Sequence, residues 1–498
     1  MADRDDWRFL TTGSWRDLQP ILDGYGQSVI RDMDENGKEL PTFSHMLKVF
    51  LIDPDRQIRN IYSVSFLDPD LIINDAKTVL LARQPRHRLA GDPALRPVSL
   101  LTKPGDYKGG YDLPGYETRS QAVEDRRGRA TDLMTVLRQP PLGLPPVPDP
   151  ASNPATPAKV ELGRKLFYDR RLSLNDTFSC AMCHIPEQGF TSHEMETAVG
   201  FEGRSVRRNS PTIYNTAYLT RLFHDGREEN LEQQVWEPLL ADNEMANPSI
   251  GAVLSKIRRM SDYDGLFEAA FDGQGPDMLT VGQALAVYQR MLVSGNSPFD
   301  RWRYGNESDA LSPAAQRGFA LFTGKAGCAS CHTVGDEHAL FTDNRMHNTG
   351  MGYRESMGIK PPKERVALAP GVFVEVDREI IDAVGEPPPP DVGLYEITQN
   401  PHDRWRYRTP SLRNVELTAP YMHNGSISTL ADVVAFYNAG GVANDLLDPR
   451  IRPLGLSAQE QQDLVAFMQA LTGDNVDLIV ADAFAAPVGD LTLSDPNW

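Results

Sequence analysis

Hydrophobic positions after residue 150 repeat mostly at helical spacing, and strand-like alternation is sparse there. The clearest case is a predicted helix that follows a capping box formed by Ser457 and Glu460. Its apolar face consists of Leu464, Phe467, Met468 and Leu471. This part of the chain is therefore predicted to be mainly α-helical.

Two short predicted helices form an internal repeat. The string Gly163-Arg-Lys-Leu-Phe167 and the string Gly318-Phe-Ala-Leu-Phe322 each follow a capping residue and a proline, Thr156-Pro157 and Ser312-Pro313. Each helix precedes a C-x-x-C-H motif. The repeat predicts two cytochrome-like modules, at 159–305 and 306–475.

The first 158 residues lack the regular helical pattern of the later part of the chain. Residues 1–92 alternate helix-like and strand-like patterns, including the run Val49-Phe-Leu-Ile-Asp53, and predict part of an α/β unit. Residues 93–158 are rich in proline, glycine and charge, which is typical of a stiff linker. Residues 476–498 are assigned to a C-terminal tail.

Composition narrows the class of protein. The 498 residues are 40% hydrophobic, enough for a sizeable buried core. A formal charge of -18 argues against nucleic acid or an anionic membrane as the main partner. No run of about 18 apolar residues is present, so no transmembrane segment is expected.

The two C-x-x-C-H motifs are Cys180-Ala-Met-Cys183-His184 and Cys328-Ala-Ser-Cys331-His332, and they use all four cysteines. In such a motif two thiols reach the vinyl groups of a haem while the histidine is aimed at the iron. A thiol redox pair or a zinc site is the alternative for a single copy. Two copies preceded by the same helix favour two covalent haems, with His184 and His332 as proximal ligands.

The opposite face of each iron decides function, because a sixth protein ligand favours electron transfer and an open face admits peroxide. Eight other histidines and fifteen methionines are candidates by composition alone. Composition alone does not identify which of them, if any, binds the second face of each iron.

From about Leu162 to Gly473 the chain resembles the bacterial dihaem cytochrome c peroxidases and, within them, the MauG-like enzymes. The matching strings are Arg208-Asn-Ser-Pro-Thr212, Asp225-Gly-Arg227, Glu244-Met245, Phe341-Thr-Asp343, His347-Asn-Thr-Gly350, Arg408-Thr-Pro-Ser-Leu-Arg-Asn414 and Ala419-Pro-Tyr-Met-His-Asn-Gly425. The resemblance implies two cytochrome c-like helical domains with two haems and a calcium ion between them. It also implies that the first haem reacts with peroxide.

Two departures from conventional members bear on mechanism. Phe201 stands where they have a histidine that caps the first haem, so this haem is expected to be open. Tyr437 stands where they have a methionine ligand of the second haem, and MauG-like enzymes have a tyrosine there. Tyr437 also fits a core stripe with Leu430, Val433 and Val434 at helical spacing, which is the alternative interpretation. A tyrosinate ligand would stabilise high oxidation states and lower the haem potential.

The resemblance supplies the remaining site residues. Glu244 is expected to act as the distal acid/base with Gln234 as its positioning partner, beside Pro238. Calcium is expected on the side chain of Asn215 and the backbone oxygens of Thr418 and Pro420.

His224 replaces a tryptophan that the family uses between the haems. Histidine is harder to oxidise than tryptophan, so the route between haems is left open. His224 is either a proton-handling group or a packed polar residue.

The N-terminal strings around Trp7, His45 and Ile58 resemble the C-terminal half of a Sco/SenC copper-chaperone domain, which has a thioredoxin-like fold. The cysteine pair of that family is missing, so copper binding is not expected. Either the chain begins partway through a longer protein that carries an export signal, or the domain has degenerated. Truncation is the favoured interpretation, with the protein placed in the periplasm.

Three functions are weighed. The leading hypothesis is a MauG-like enzyme that uses hydrogen peroxide to form a high-valent dihaem state and oxidises a protein substrate by long-range electron transfer. The second is a cytochrome c peroxidase that reduces hydrogen peroxide with electrons from a small redox protein. The third is a dihaem electron carrier without catalysis.

Overall fold

The computed structural model describes residues 130–193, 196–359, 363–369, 372–377 and 390–486, together with four N-terminal strands. These strands are β1 (Val29–Met33), β2 (Glu39–His45), β3 (Lys48–Ile52) and β4 (Ile58–Ser63). β1 pairs with β2 and β3 with β4, both antiparallel. The rest of the predicted Sco-like segment and residues 93–129 lie outside the described residues.

The first half is built from α1 (Thr135–Arg138), α2 (Pro157–Tyr168), α3 (Leu231–Gln234), α4 (Trp236–Leu240), α5 (Ile250–Ile257), α6 (Leu266–Ala270) and α7 (Met278–Met291). The second half contains α8 (Pro298–Arg303), α9 (Pro313–Thr323), α10 (Met351–Ser356), α11 (Tyr395–Thr398), α12 (Leu430–Asn438), α13 (Ala458–Gln469) and α14 (Val476–Ala483).

Strands are few in the second half as well. β5 (Met346–His347) pairs with β8 (Tyr407–Arg408), and β6 (Lys363–Ala369) pairs with β7 (Val372–Asp377). The helix-rich fold agrees with the mainly α-helical class predicted from the sequence.

The predicted capping signals start the repeated helices. The Thr156 hydroxyl accepts a hydrogen bond from Lys159 N at the start of α2, and the Ser312 hydroxyl does the same for Ala315 N in α9. Ser457 and Glu460 form the reciprocal capping box that begins α13. In each case a side chain supplies a partner that the first turn of a helix lacks.

Each half packs one long helix pair at a glycine. α2 crosses α7 at Gly163, where an added Cβ would lie 2.1 Å from the Ala284 carbonyl oxygen. α9 crosses α13 at Gly318, where the same atom would lie 2.0 Å from the Asp463 carbonyl oxygen. Only a residue without a side chain lets the helices come this close.

Each half has its own hydrophobic core, and described segments on either side of the two predicted modules join the first one. Leu133 and Val147, in the stretch predicted to be a linker, are buried in the first core. Val476, Ile479 and Val480 of α14 are buried there too, although the sequence analysis assigned them to a tail. Their spacing of i, i+3 and i+4 was the helical signal that was overlooked. None of the helices within the described ranges combines the length and the apolarity needed to span a membrane.

Candidate dihaem site

The two C-x-x-C-H motifs have nearly the same local geometry. Each begins with a single 3₁₀ turn, at Cys180–Met182 and at Cys328–Ser330. His184 Nδ1 lies 3.1 Å from the Phe190 carbonyl oxygen, and His332 Nδ1 lies 2.9 Å from that of Phe341. A carbonyl only accepts, so Nδ1 carries the proton and Nε2 is left to bind a metal.

Burial lowers the pKa of both His184 and His332, which keeps each imidazole in the neutral form that binds iron. Both carbonyls come from phenylalanines with positive φ, 54° at Phe190 and 53° at Phe341. A non-glycine residue in this region is uncommon and marks a backbone held by its surroundings. The two loops are therefore shaped to orient the proximal histidines.

The internal repeat reaches further than the sequence analysis recognised. Thr191 Oγ1 donates to the carbonyl oxygen of Ser210, and Thr342 Oγ1 donates to that of Thr409, at 2.7 Å. The signal was present in the strings Ser210-Pro-Thr and Thr409-Pro-Ser, each followed by an asparagine with positive φ, Asn215 and Asn414. Similar loops thus close both sites.

A cavity of about 280 Å³ lies beside the second motif. Its lining includes Cys328, Cys331 and His332, and also the apolar side chains Leu430, Val433, Val434, Leu454 and Leu464. Two thiols, an imidazole and an apolar wall are the groups that a covalent haem requires. The residues present therefore fit a c-type haem.

Tyr437 lies on α12 and lines this same cavity. The other residues of its stripe, Leu430, Val433 and Val434, line it as well, so the stripe faces the cavity. Burial, with the nearby Cys328 and Cys331, raises the pKa of the Tyr437 hydroxyl. Met422 and Met468 also line the cavity, so tyrosine and methionine sulfur are both available near the second haem position.

Residues predicted for the first haem pocket lie close together. Phe201 N donates to the Glu244 carbonyl oxygen at 2.8 Å, and the Phe201 ring is buried. Burial raises the pKa of the thiols of Cys180 and Cys183, and the negative charge of Glu244 adds to it. Glu244 is thus placed near the first haem-attachment motif.

Glu244 has the electrostatics of a group that exchanges protons. Burial raises the pKa of its carboxyl group, against the opposing charge of Arg227 and with a contribution from Glu237. Arg227 itself pairs with Glu237, Nε to Oε2, at 2.6 Å. Gln234 ends α3 and is partly buried, and its role as partner of Glu244 stays a prediction.

His224 is held between the two halves. Its Nε2 lies 2.9 Å from the Asn209 carbonyl oxygen and must donate to it, while its own carbonyl oxygen accepts from Arg408 N at 2.8 Å. Burial, together with the charge of Arg408, lowers the pKa of His224 to about 3. The imidazole is therefore neutral at ordinary pH.

The side chain predicted to bind calcium is engaged in the fold. Asn215 Oδ1 accepts from Ser294 N, and its Nδ2 donates to Ser294 O, both at 2.9 Å. Thr418 and Pro420 line the cavity of the second site. The oxygen donors are of the type that calcium prefers, and the calcium site stays a prediction.

Sequence reasoning missed a polar cluster beside the second cavity. The Tyr407 and His423 rings stack with centroids 3.6 Å apart, and the Tyr407 hydroxyl donates to the Asp391 carbonyl oxygen at 3.1 Å. Arg208 pairs with Asp391 at 2.6 Å and also with Asp225. Arg208, Asp225 and His423 lie in strings that carry the resemblance, whereas Tyr407 and Asp391 lie outside those strings.

The family model for di-haem cytochrome c peroxidase matches residues 157–308. The cytochrome-c peroxidase IdrP1 of Denitromonas iodatirespirans is 40% identical over 345 residues, which are 67% of this chain and 86% of that protein. The methylamine utilization protein MauG of Methylorubrum extorquens is 38% identical over 329 residues, which are 66% of this chain and 82% of that protein.

The chain is also similar to a solved structure of a MauG-like protein. A crystal structure of a MauG-like protein associated with microbial copper homeostasis has a TM-score of 0.54 and 30% identity to this chain. That match covers 76% of this chain and 98% of the solved chain. The similarity thus extends over both C-x-x-C-H motifs.

Proposed function

Because the chain belongs to the di-haem cytochrome c peroxidase family, we propose that it is a MauG-like enzyme that uses hydrogen peroxide to oxidise a protein substrate by long-range electron transfer. Membership makes it a peroxidase-type oxidoreductase with two c-type haems. What we propose beyond family membership is the protein ligand of the second haem iron and the molecule that donates electrons to the enzyme.

Tyr437 carries the proposal. It lines the cavity that contains Cys328, Cys331 and His332, on a helix whose apolar stripe faces the same space. A phenolate oxygen is a hard anionic donor that stabilises oxidised iron, so a haem bound by it is a poor electron acceptor from a cytochrome. Such a haem is suited to sharing oxidising equivalents with the first.

Residues near the first haem-attachment motif give independent support for the proposal. Phe201 has no atom that can bind iron, so a haem held at the first site would keep a position open for peroxide. Glu244 lies one hydrogen bond from Phe201 through its backbone, and its raised pKa suits it to take the proton of peroxide and to return it to the leaving oxygen. Gln234 is proposed to position the peroxide.

The haems, when bound, would supply the two electrons that reduce hydrogen peroxide to water and would hold the two oxidising equivalents that result. The surrounding residues of the chain orient the iron-binding imidazoles, exclude water from the cavity and transfer protons. The carbonyl oxygens of Phe190 and Phe341 orient the imidazoles of His184 and His332. Burial keeps both imidazoles neutral by lowering their pKa. Leu430 and Val434 keep the second cavity apolar.

A second candidate function has an observation of its own. Met422 and Met468 line the cavity with Tyr437, and a methionine ligand would raise the potential of the second haem. The protein would then be a cytochrome c peroxidase that takes electrons from a small redox protein. Each candidate predicts a different response of the fully oxidised protein to peroxide.

Stopped-flow absorbance of the oxidised, haem-loaded protein mixed with stoichiometric hydrogen peroxide separates the two. The MauG-like function predicts rapid oxidation of both haems without prior reduction. Reaction that begins only after one electron has been added would support the conventional peroxidase and would overturn the proposal. Met422→Leu and Met468→Leu are the matched variants, because they should leave the rapid phase unchanged if neither methionine is a ligand.

The biological setting is part of the proposal. Covalent haem attachment normally occurs outside the cytoplasmic membrane, so we place the protein in the periplasm. A solved MauG-like relative is described as associated with microbial copper homeostasis. Together with the Sco-like N-terminal strings, this supports a protein substrate that handles copper.

A further inference from the structure

Trp405 is held in an unusual backbone conformation two residues before Tyr407. Its φ is 62°, in the left-handed region that a bulky residue rarely adopts. The indole N–H donates to Ser356 Oγ at 2.6 Å, and the indole ring meets the Tyr353 ring edge-on with centroids 5.0 Å apart. Strain of this kind persists only where the surroundings enforce it, and it often marks a functional residue.

The Trp405 and Tyr353 pair adjoins the second haem cavity. Tyr407 lines that cavity, and a Cβ added to Gly352 would lie 2.7 Å from the Tyr407 ring. α10 therefore lies directly against Tyr407 at Gly352, and Tyr353 is the next residue on that helix. The backbone of α10 at Gly352 thus joins Tyr407 in the cavity wall to the neighbouring pair of Tyr353 and Trp405.

The other side of the pair lies near solvent. Ser356, which holds the indole, is followed by Met357 and Ile359, whose exposed fractions are 58% and 48%. Leu394 N, just before α11, donates to the carbonyl oxygen of Arg406, the residue that follows Trp405. The start of α11, which carries the exposed Ile397, therefore lies beside this part of the chain. Met357, Ile359 and Ile397 thus place exposed apolar side chains on the two segments that flank Trp405, as a surface that meets another protein would require.

The hydrogen bonds distinguish which ring can be oxidised. The Tyr407 hydroxyl donates to a backbone carbonyl, which cannot take up its proton, so oxidation of Tyr407 to a neutral radical has no proton acceptor there. An indole can lose an electron and retain its N–H proton. At Trp405 that proton is held by a neutral hydroxyl, so electron loss requires no proton movement.

We propose that Trp405, supported by Tyr353, is the residue through which a protein substrate delivers electrons to the second haem; this rests on the proposed function. In each step one electron leaves Trp405 for the haem centre that peroxide has oxidised, and one electron from the substrate refills it. Two such steps, with two protons from solvent, balance the reduction of one peroxide to two waters. Tyr407, in the cavity wall two residues from Trp405, keeps its proton.

The test uses the haem-loaded full chain treated with stoichiometric hydrogen peroxide and no substrate. Freeze-quench EPR is recorded on protein made with ring-deuterated tryptophan and on unlabelled protein. The expected result is an organic radical whose hyperfine structure changes on deuteration and whose yield falls on the order of tenfold in Trp405→Phe. Peptide mass spectrometry after repeated peroxide additions should find added oxygen at Trp405.

Trp302→Phe is the matched control, because Trp302 is a partly buried tryptophan in the same half that packs on Phe299 and Phe319. It should retain the signal. Ser356→Ala keeps both rings and should shift the hyperfine structure, which guards against a folding defect in Trp405→Phe. A radical whose yield is unchanged in Trp405→Phe, or that disappears in Trp302→Phe, overturns the inference. If peroxide fails to oxidise the haems of the unchanged protein, the proposed function itself is wrong.

Discussion

Arg413 and Asp300 form an ion pair that is almost completely excluded from solvent, with Nη1 2.8 Å from Oδ2 and Nη2 2.9 Å from Oδ1. Arg413 Nε also donates to the Ala339 carbonyl oxygen, and its Nη2 donates to that of Gly143. The pair thus joins the stretch before α2, the start of α8 and the loop that follows the second haem motif. Its position makes it a structural link between the two halves.

We expect Asp300→Asn to destabilise the protein by about 3–5 kcal/mol, because the charge of Arg413 would remain buried without a counter-ion. The measurement is the free energy of unfolding in urea. Asp132→Asn is the control, since Asp132 pairs with Arg138 at 2.8 Å on the surface and its loss should have no measurable effect. Equal effects of the two variants would contradict the structural role of the buried pair.

Gly163 and Gly318 predict a second stability effect. An alanine at either position would bring its Cβ to about 2 Å from a backbone carbonyl oxygen of the facing helix, so the helices would have to separate. We expect each substitution to cost about 1–3 kcal/mol, as overpacking does.

Gly251→Ala is the matched control for these glycines. Gly251 lies in α5, and its added Cβ would have its nearest neighbour at 3.7 Å. There alanine should stabilise by about 0.5–1 kcal/mol through its higher helix propensity. The thermal midpoint of each variant measures the contrast, and a destabilising Gly251→Ala would show that the packing argument is misplaced.

The repeated helices and their caps could be predicted from the sequence, because local signals such as Thr156-Pro157 determine where a helix starts. The mainly α-helical class followed from periodicity alone. The resemblance gave the family, which the comparisons confirm. Its finer assignments at Tyr437, Glu244 and Asn215 remain predictions.

What was missed depends on contacts between distant segments. The stack of Tyr407 on His423 and the strained backbone at Trp405 arise only when loops from different parts of the chain meet. No spacing in the sequence indicates them. α14 was missed for a different reason, since its apolar stripe was visible at Val476 and Ile479 but its packing partner lies in the first half.

Glu244 predicts a pH dependence. A carboxylate must accept the proton of peroxide, and burial raises the pKa of Glu244 above its ordinary value. The rate of reaction with peroxide should therefore decrease as the pH falls through this raised pKa. Glu244→Gln should lower the rate by about 10²–10⁴-fold and remove that pH dependence.

The exposed residue Glu229 provides the control for Glu244. Glu229→Gln should leave both the rate and its pH profile unchanged, because the side chain faces solvent. Stopped-flow absorbance at several pH values measures both quantities. A pH profile that persists in Glu244→Gln would assign the proton transfer to another group.

Tyr437 gives the sharpest prediction. If its oxygen binds the second iron, Tyr437→Met should raise the reduction potential of that haem, within the roughly 0.8 V over which axial ligands set haem potentials. Tyr437→Phe should leave the second iron with an open position that binds cyanide. Spectroelectrochemical titration of the haem-loaded protein measures the potential of each haem separately.

Tyr421→Phe tests whether any tyrosine of the cavity has this effect. Tyr421 lines the same cavity, but its hydroxyl donates to the Val415 carbonyl oxygen at 3.2 Å. Its removal should leave both potentials unchanged. If instead Tyr437→Phe leaves them unchanged while Met468→Leu lowers the potential of the second haem, then the methionine is the ligand and electrons enter as in a conventional cytochrome c peroxidase.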